Sequence, residues 1–198
     1  HTFLMTLRTN RSTKFTSGDL LAIYPANDNQ ERLYSIGNHN GNIQLVVKLH
    51  PSGLGSGYLY NVEPGSVFKA RIIKNQTFHF PKKASKVALI SNGTGIAPFL
   101  GMLEQNKKKI EIHLYCGFRK ATETVLGYEK FAAEMIQKQQ LKSFHVALSR
   151  EENHNYVMDL IKRDADFFVD LLTQGGVVMI CGSLAMQKDV EAVLDTLC

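Results

Sequence analysis

The chain has 198 residues, 44% hydrophobic and 21% charged, enough to bury one large core or two small ones and outside the range of disordered or collagen-like chains. Its net charge of +5 and pI near 9.1 favour anionic partners, among which phosphorylated cofactors, acidic proteins and nucleic acid all qualify. Three cysteines without a C-x-x-C pair point to a reducing compartment and to neither a disulfide framework nor a zinc site, and no apolar run is long enough to span a membrane.

Residues 1–82 read as β structure. Strands are expected at 1–8, Leu20–Tyr24, Arg32–Ile36, Ile43–Leu49 and Val67–Ile73, with Gly, Asn and Pro at the short spacing of a small antiparallel barrel or sandwich. Gly53-Leu-Gly-Ser-Gly-Tyr-Leu-Tyr60 interrupts them as a glycine turn opening into a short helix, whose N-terminus suits an anion. Pro81-Lys-Lys-Ala-Ser85 is polar and marks a domain boundary, so that 83–198 forms a second domain.

In that second domain strands alternate with helices. Strands are expected at Val87–Ile90, Ile110–Tyr115, Phe144–Leu148 and Val177–Cys181, and helices at about 97–105, 128–136, 155–172 and from Ser183 onward. Repeated βα units imply a parallel sheet covered on both faces, with ligands outside the carboxyl ends of its strands. Four such ends carry small or basic residues: Gly93-Thr-Gly95, Cys116-Gly-Phe-Arg119, Ser149-Arg150 and Cys181-Gly182. The stretch Ser91-Asn-Gly-Thr-Gly-Ile-Ala-Pro-Phe99 has the strand, glycine turn and helix that cradle a phosphate, and equally those of an ordinary turn; Pro98 stands where a dinucleotide fingerprint has its third glycine. The seven histidines are scattered, and neither a Ser–His–acid order nor a catalytic carboxylate pair stands out.

These motifs, in this order, resemble the ferredoxin–NADP reductase superfamily, most closely the reductase modules of the cytochrome P450 reductase and sulfite reductase flavoprotein type. Arg32-Leu-Tyr-Ser35 is similar to the family's FAD motif and Gly53-Leu-Gly-Ser56 to its second FAD loop. Gly18-Asp-Leu-Leu-Ala-Ile-Tyr-Pro-Ala-Asn27 resembles the preceding barrel strand, and the few residues between it and Arg32 leave no room for a connecting domain. The four strand ends above resemble the nicotinamide-nucleotide motifs.

The resemblance implies an FAD-dependent NADPH oxidoreductase with an FAD barrel at 1–82 and a nucleotide domain at 83–198. Arg32 is then expected on the FAD pyrophosphate, Leu33 among the FAD contacts, Tyr34 against the isoalloxazine face, Ser35 near flavin N5, and Leu45, Val46 and Val47 at the ring edge and main chain. Gly53, Leu54, Gly55 and Ser56 are expected on the FAD phosphates, and Gly93, Thr94, Gly95, Cys116, Arg119 and Gly182 around the nicotinamide nucleotide. Cys181 is expected beside nicotinamide C4, where with Ser35 it assists hydride transfer. Ser149, Arg150, His154 and Tyr156 are expected to grip the 2′-phosphate, with His154 in place of the family's usual lysine, so that NADPH is preferred and NADH remains possible. Electrons are expected to pass to a flavodoxin-like or haem partner or fused domain, in the cytoplasm or on its side of a larger protein. The family ends on an aromatic residue over the flavin, absent here, so the chain is expected to be cut short or to leave that face open. A nucleic-acid binder, favoured only by the pI, and a cofactor-poor interaction module on the same fold are the competing readings.

Overall fold

The computed structural model describes residues 1–9, 13–25, 28–152 and 154–197; Ala26, Asn27 and Cys198, named above, lie outside the described residues. The chain forms two compact units, His1–Phe80 together with Ala97–Met102, and Pro81–Ile96 together with the residues from Leu103 onward. Among the described residues no helix is long and apolar enough to cross a membrane.

The first unit contains β1 (Thr2–Leu7), β2 (Leu20–Ile23), β3 (Arg32–Ser35), β4 (Gly37–His39), β5 (Asn42–Lys48), the helix α1 (Leu54–Tyr60) and β6 (Ala70–Ile73). The expected barrel is seen as two three-stranded antiparallel sheets, β1-β5-β4 and β3-β2-β6. Alternate residues of both sheets, Leu21 and Ile23 from one and Ile43, Leu45 and Val47 from the other, share a core with Ile36 and Leu59. β4 was not foreseen: its sequence is Gly-Asn-His, with little β propensity, and the turn after it creates it. Asn40 and Gly41 have φ of 50° and 82°, a left-handed pair that suits a two-residue hairpin, and His39 pairs with Asn42 across it. The expected strand Val67–Ile73 shortens to Ala70–Ile73. The buried Asp19 ties the start of β2 to the chain after β6, accepting from Thr16 N (2.9 Å), Asn75 N (3.0 Å), Lys74 Nζ (3.0 Å) and His79 Nε2 (2.7 Å). Burial pushes its pKa up, but these donors outweigh that and hold it at about 2.

The second unit contains β7 (Lys86–Asn92), β8 (Glu111–Phe118), α3 (Glu123–Gln137), β9 (Ser143–Leu148), α4 (Val157–Arg163), α5 (Ala165–Thr173), β10 (Val177–Cys181) and α6 (Leu184–Leu197); α2 (Ala97–Gln105) begins in the first unit. Its four strands are parallel, in the order β10-β7-β8-β9. Val87, Ala88, Leu89 and Ile90 are all fully buried, as a strand covered on both faces requires. On one face Ala88, Ile90, Tyr115 and Ala147 pack with Val157, Ile161, Phe168, Met186 and Val190 of α4, α5 and α6. α3 buries Val125, Tyr128, Ala132 and Met135, the stripe of an amphipathic helix, and starts on Thr122, whose Oγ1 accepts from Val125 N (3.4 Å). The single helix expected over 155–172 is two, because Asp164 leaves helical geometry (φ −102°, ψ 32°) and its carboxylate takes Tyr115 Oη and Arg163.

Candidate functional site

In the first unit, the two segments expected around FAD are brought together. α1 begins against β3 so closely that a Cβ on Gly55 would lie 2.8 Å from Tyr34 Oη and 2.9 Å from Arg32 Cγ. Strand alternation puts Arg32 and Tyr34 on this side and Leu33 and Ser35 on the other. Leu33 is exposed and Ser35, paired with Leu20, is partly so. The Arg32 guanidinium is held by Asp28 (Nη2 to Oδ2, 2.7 Å) and by the Gln30 carbonyl (2.9 Å). Tyr34 is half-buried, and burial raises its pKa, which keeps the phenol neutral. The Ser56 hydroxyl accepts from His50 N (3.1 Å) and donates to the Gly53 carbonyl (3.3 Å), so it closes its own turn. Leu54 is exposed. The side chains of Leu45 and Val47 lie in the core and that of Val46 is buried on the opposite face, which leaves the main chain as their means of contact. β4 stops opposite Gln44, and among the described residues no strand runs along the edge of Leu45–Val47 turned away from β1.

In the second unit, the strand ends meet at one edge of the sheet. β7 passes into a tight 3-10 turn, Gly93–Ile96, and then into α2. Gly93 has φ of 53° and open space where a Cβ would stand, and Thr94 beside it is partly exposed. At Gly95 a Cβ would lie 2.0 Å from the Cys181 carbonyl oxygen, so this close approach of two strand ends requires glycine. Cys181 is partly exposed. Asn92 and Ser183, not among the expected site residues, join the two turns: Asn92 Nδ2 donates to Ser183 Oγ (3.1 Å) and Ser183 N donates to Asn92 Oδ1 (2.9 Å). An amide just before the glycine turn, and a hydroxyl just after Cys181-Gly182, were the available signal.

Cys116 lies in the sheet. β8 runs on past Tyr115, its expected end, to Phe118, and Cys116 is fully buried with its Sγ 3.1 Å from Ser91 Oγ. Burial pushes its thiol up to about 12, so it is a neutral packing group whose side chain is closed to a nucleotide. Beyond it β8 and β9 continue as a pair: Ser149 N donates to the Phe118 carbonyl (2.9 Å) and Arg150 N to that of Arg119 (2.8 Å), which sets the two arginines side by side on exposed chain. An open cleft of about 720 Å³ lies there, lined by Val146, Leu148, Arg150, Glu151, Glu152, His154 and Asn155. Arg150 and His154 thus share a site, whereas the exposed Tyr156 is not among the lining residues. His154 has φ of 39°, and its Nδ1 is 3.3 Å from the Ser149 carbonyl, which makes that nitrogen the donor. The two carboxylates were not foreseen; Glu151 Oε1 accepts from Ala121 N (2.7 Å) and so ties the two loops.

The arrangement has known counterparts. NADPH–cytochrome P450 reductase of Rattus norvegicus is 33% identical over 155 residues, 70% of this chain and 23% of that protein, and nitric oxide synthase of Anopheles stephensi is 32% identical over 155 residues, 72% of this chain and 12% of that protein. The chain thus spans less than a quarter of the length of these curated relatives. A mutant of ferredoxin-NADP+ reductase from Plasmodium falciparum, solved in complex with 2′P-AMP, superposes with a TM-score of 0.81 at 21% identity, covering 98% of this chain and 84% of that one, so the fold is ferredoxin-NADP+ reductase-like. The family model for the oxidoreductase NAD-binding domain matches residues 89–192, more than half of the chain and all four of the strand ends described above, and the chain belongs to that family.

Proposed function

We propose that the chain is an electron-transfer module that binds FAD in its first unit and NADPH in its second, the two antiparallel sheets serving as the FAD barrel of this fold. The observation that carries the reading is the packing of the Gly93–Ile96 turn on Cys181-Gly182 at the carboxyl ends of β7 and β10, with Arg119 and Arg150 at the neighbouring ends. When bound, NADPH supplies a hydride, and FAD receives it and releases electrons to a flavodoxin-like or haem partner, in the cytoplasm.

The residues present fit both groups. A pyrophosphate suits Arg32, whose ion pair with Asp28 is partly exposed and worth about 1 kcal/mol or less, so the guanidinium can change partner cheaply. The first turn of α1 adds main-chain N–H groups that the helix itself does not use. Tyr34 offers a neutral flat ring and Ser35 a hydroxyl on the other face of β3. The edge at Leu45–Val47, along which no described strand runs, offers main-chain donors and acceptors to a ring. Cys181 positions the nucleotide by packing rather than by nucleophilic attack. Arg150 supplies the fixed charge for a 2′-phosphate, while Glu151 and Glu152 in the same cleft reduce the field it presents.

This predicts a moderate preference for NADPH. Arg150→Ala is expected to lower kcat/KM for NADPH about tenfold and to change that for NADH by less than about twofold, since a charge-assisted hydrogen bond is worth about 1.5–3 kcal/mol. Steady-state kinetics with both nucleotides on FAD-reconstituted protein measures it. Equal losses for the two nucleotides would overturn the 2′-phosphate assignment, and failure to retain FAD over FMN would overturn the flavin assignment.

A further inference from the structure

The turn that carries Cys181 is pinned on both sides. On one side lies the reciprocal pair between Asn92 and Ser183, with hydrogen bonds of 3.1 and 2.9 Å. On the other, Gln187 Nε2 donates to the Gly182 carbonyl (2.8 Å), and Ser183 Oγ accepts from Met186 N (3.4 Å) at the start of α6. A Cβ on Gly182 would stand 2.1 Å from Asn92 Oδ1, so the missing side chain is what lets the amide reach across. Asn92 must donate to a hydroxyl and accept from an amide N–H at once. Its primary amide holds both roles without charge.

We propose that Asn92 is a positioning residue for hydride transfer: it fixes Cys181-Gly182-Ser183 against the Gly93–Ile96 turn, and so sets the angle at which the nicotinamide ring is presented. This rests on the reading of Cys181 given above. Asn92 acts through the turn and not on the adenosine end of the nucleotide, whose cleft lies at the ends of β8 and β9. A displacement of about 1 Å at a reacting centre can lower a rate about a hundredfold, whereas affinity gathered elsewhere is unaffected.

The test has two arms. In the first, amide hydrogen exchange on the protein without nucleotide, Asn92→Ala is expected to speed exchange at Ser183 N at least about tenfold and to leave Leu114 in β8 unchanged, because only the former loses its acceptor. Asn92→Asp keeps that acceptor and can receive the Ser183 hydroxyl proton, and is expected to stay protected. In the second arm, Asn92→Ala in FAD-reconstituted protein is expected to slow stopped-flow flavin reduction by NADPH about tenfold or more, with the Kd for adenosine 2′,5′-bisphosphate within about twofold of wild type by calorimetry. Should Asn92→Ala unfold, Ser183→Ala removes one of the two bonds and is expected to show the same split, at smaller size. Unchanged protection, or a loss of affinity equal to the loss of rate, overturns the proposal. If the wild type reduces no flavin with NADPH while binding the bisphosphate, the functional reading fails, and the exchange arm alone decides whether Asn92 holds the turn.

Discussion

Gly95 and Gly55 both stand where a side chain would collide, but they differ in what it would meet. At Gly95 the obstacles are main chain, the Cys181 carbonyl oxygen at 2.0 Å and its carbon at 2.6 Å, so a strand end must move. At Gly55 they are Tyr34 Oη and Arg32 Cγ, at 2.8 and 2.9 Å, on side chains that can turn aside. Gly95→Ala is therefore expected to destabilise by about 3 kcal/mol or more, and Gly55→Ala by about 1 kcal/mol, part of its clash being offset by the better helix propensity of alanine. Urea midpoints of the two variants measure the difference, and equal shifts would show that the β10 end gives way more easily than a packed main chain should. Both glycines stand out in the sequence as phosphate-turn residues. Their contacts with Cys181 and Arg32 are not visible there, because the partners lie far away along the chain. Cys116 is a misplacement of another kind: three unrecognised strand residues, Cys116 to Phe118, turned an interior position into an apparent loop residue.

The same parallel sheet carries, at the opposite ends of its strands, a polar chain that no motif announces. Arg163 can only donate, so Nδ1 of His145, 3.1 Å from its Nη2, is an acceptor, and His145 Nε2–H then donates to Ser143 Oγ (2.8 Å). Ser143 in turn donates to His113 Nδ1 (2.7 Å), and His113 Nε2–H donates to Glu111 (3.1 Å). The chain runs one way only with both imidazoles neutral. Burial works in the same direction, lowering the pKa of both below the ordinary 6.5. In the unfolded chain each takes a proton near pH 6.5, so the unfolded state binds more protons as the pH falls. Stability is then full above about pH 7, declines as the pH drops through 6.5, and levels off below the folded-state values. Urea titrations from pH 8 to 5 are expected to show this loss, and His113→Gln with His145→Gln to flatten it; an unchanged slope in the double variant would assign the loss to other groups. Helix and strand periodicity made the parallel sheet legible from sequence. It did not reveal this network, since Glu111, His113 and Ser143 look like solvent-side residues until β8 and β9 are paired in register. The break between α4 and α5 was hidden for the same reason, as Asp164 leaves the helix to meet Tyr115, about fifty residues away.

For the molecule as a whole, the passage from short strands separated by turns to strands alternating with helices of about 3.6-residue period marks the change from antiparallel sheets to a parallel one, and that much was legible. A linear signal cannot express a chain that returns, for the length of Ala97–Met102, to the unit it has left. A helix over about 97–105 was evident in sequence; what covers it was not. Phe99, fully buried, lies against Phe78 with ring centroids 6.0 Å apart, and a Cβ on Gly101 would stand 2.4 Å from Ser17 Oγ and 2.5 Å from Asn38 N. The first turns of α2 are therefore part of the first unit's core. A fragment of residues 81–198 retains the whole parallel sheet but leaves Phe99 without Phe78, and Met102, whose Cε lies 3.2 Å from where a Cβ on Gly18 would stand, without that neighbour. Exposing two such side chains costs about 1.5–3 kcal/mol each, a large share of the roughly 5–15 kcal/mol that holds a typical domain together. The fragment is expected to unfold at lower urea concentration than the full chain and to bind a hydrophobic dye through its α2 face. Replacing Phe99 and Met102 with Ser and Gln in the fragment should abolish the dye binding, while the same pair of changes should destabilise the full chain by several kcal/mol. A fragment as stable as the full chain, and silent to the dye, would mean that α2 closes on the parallel sheet alone and that the first unit gains nothing essential from it.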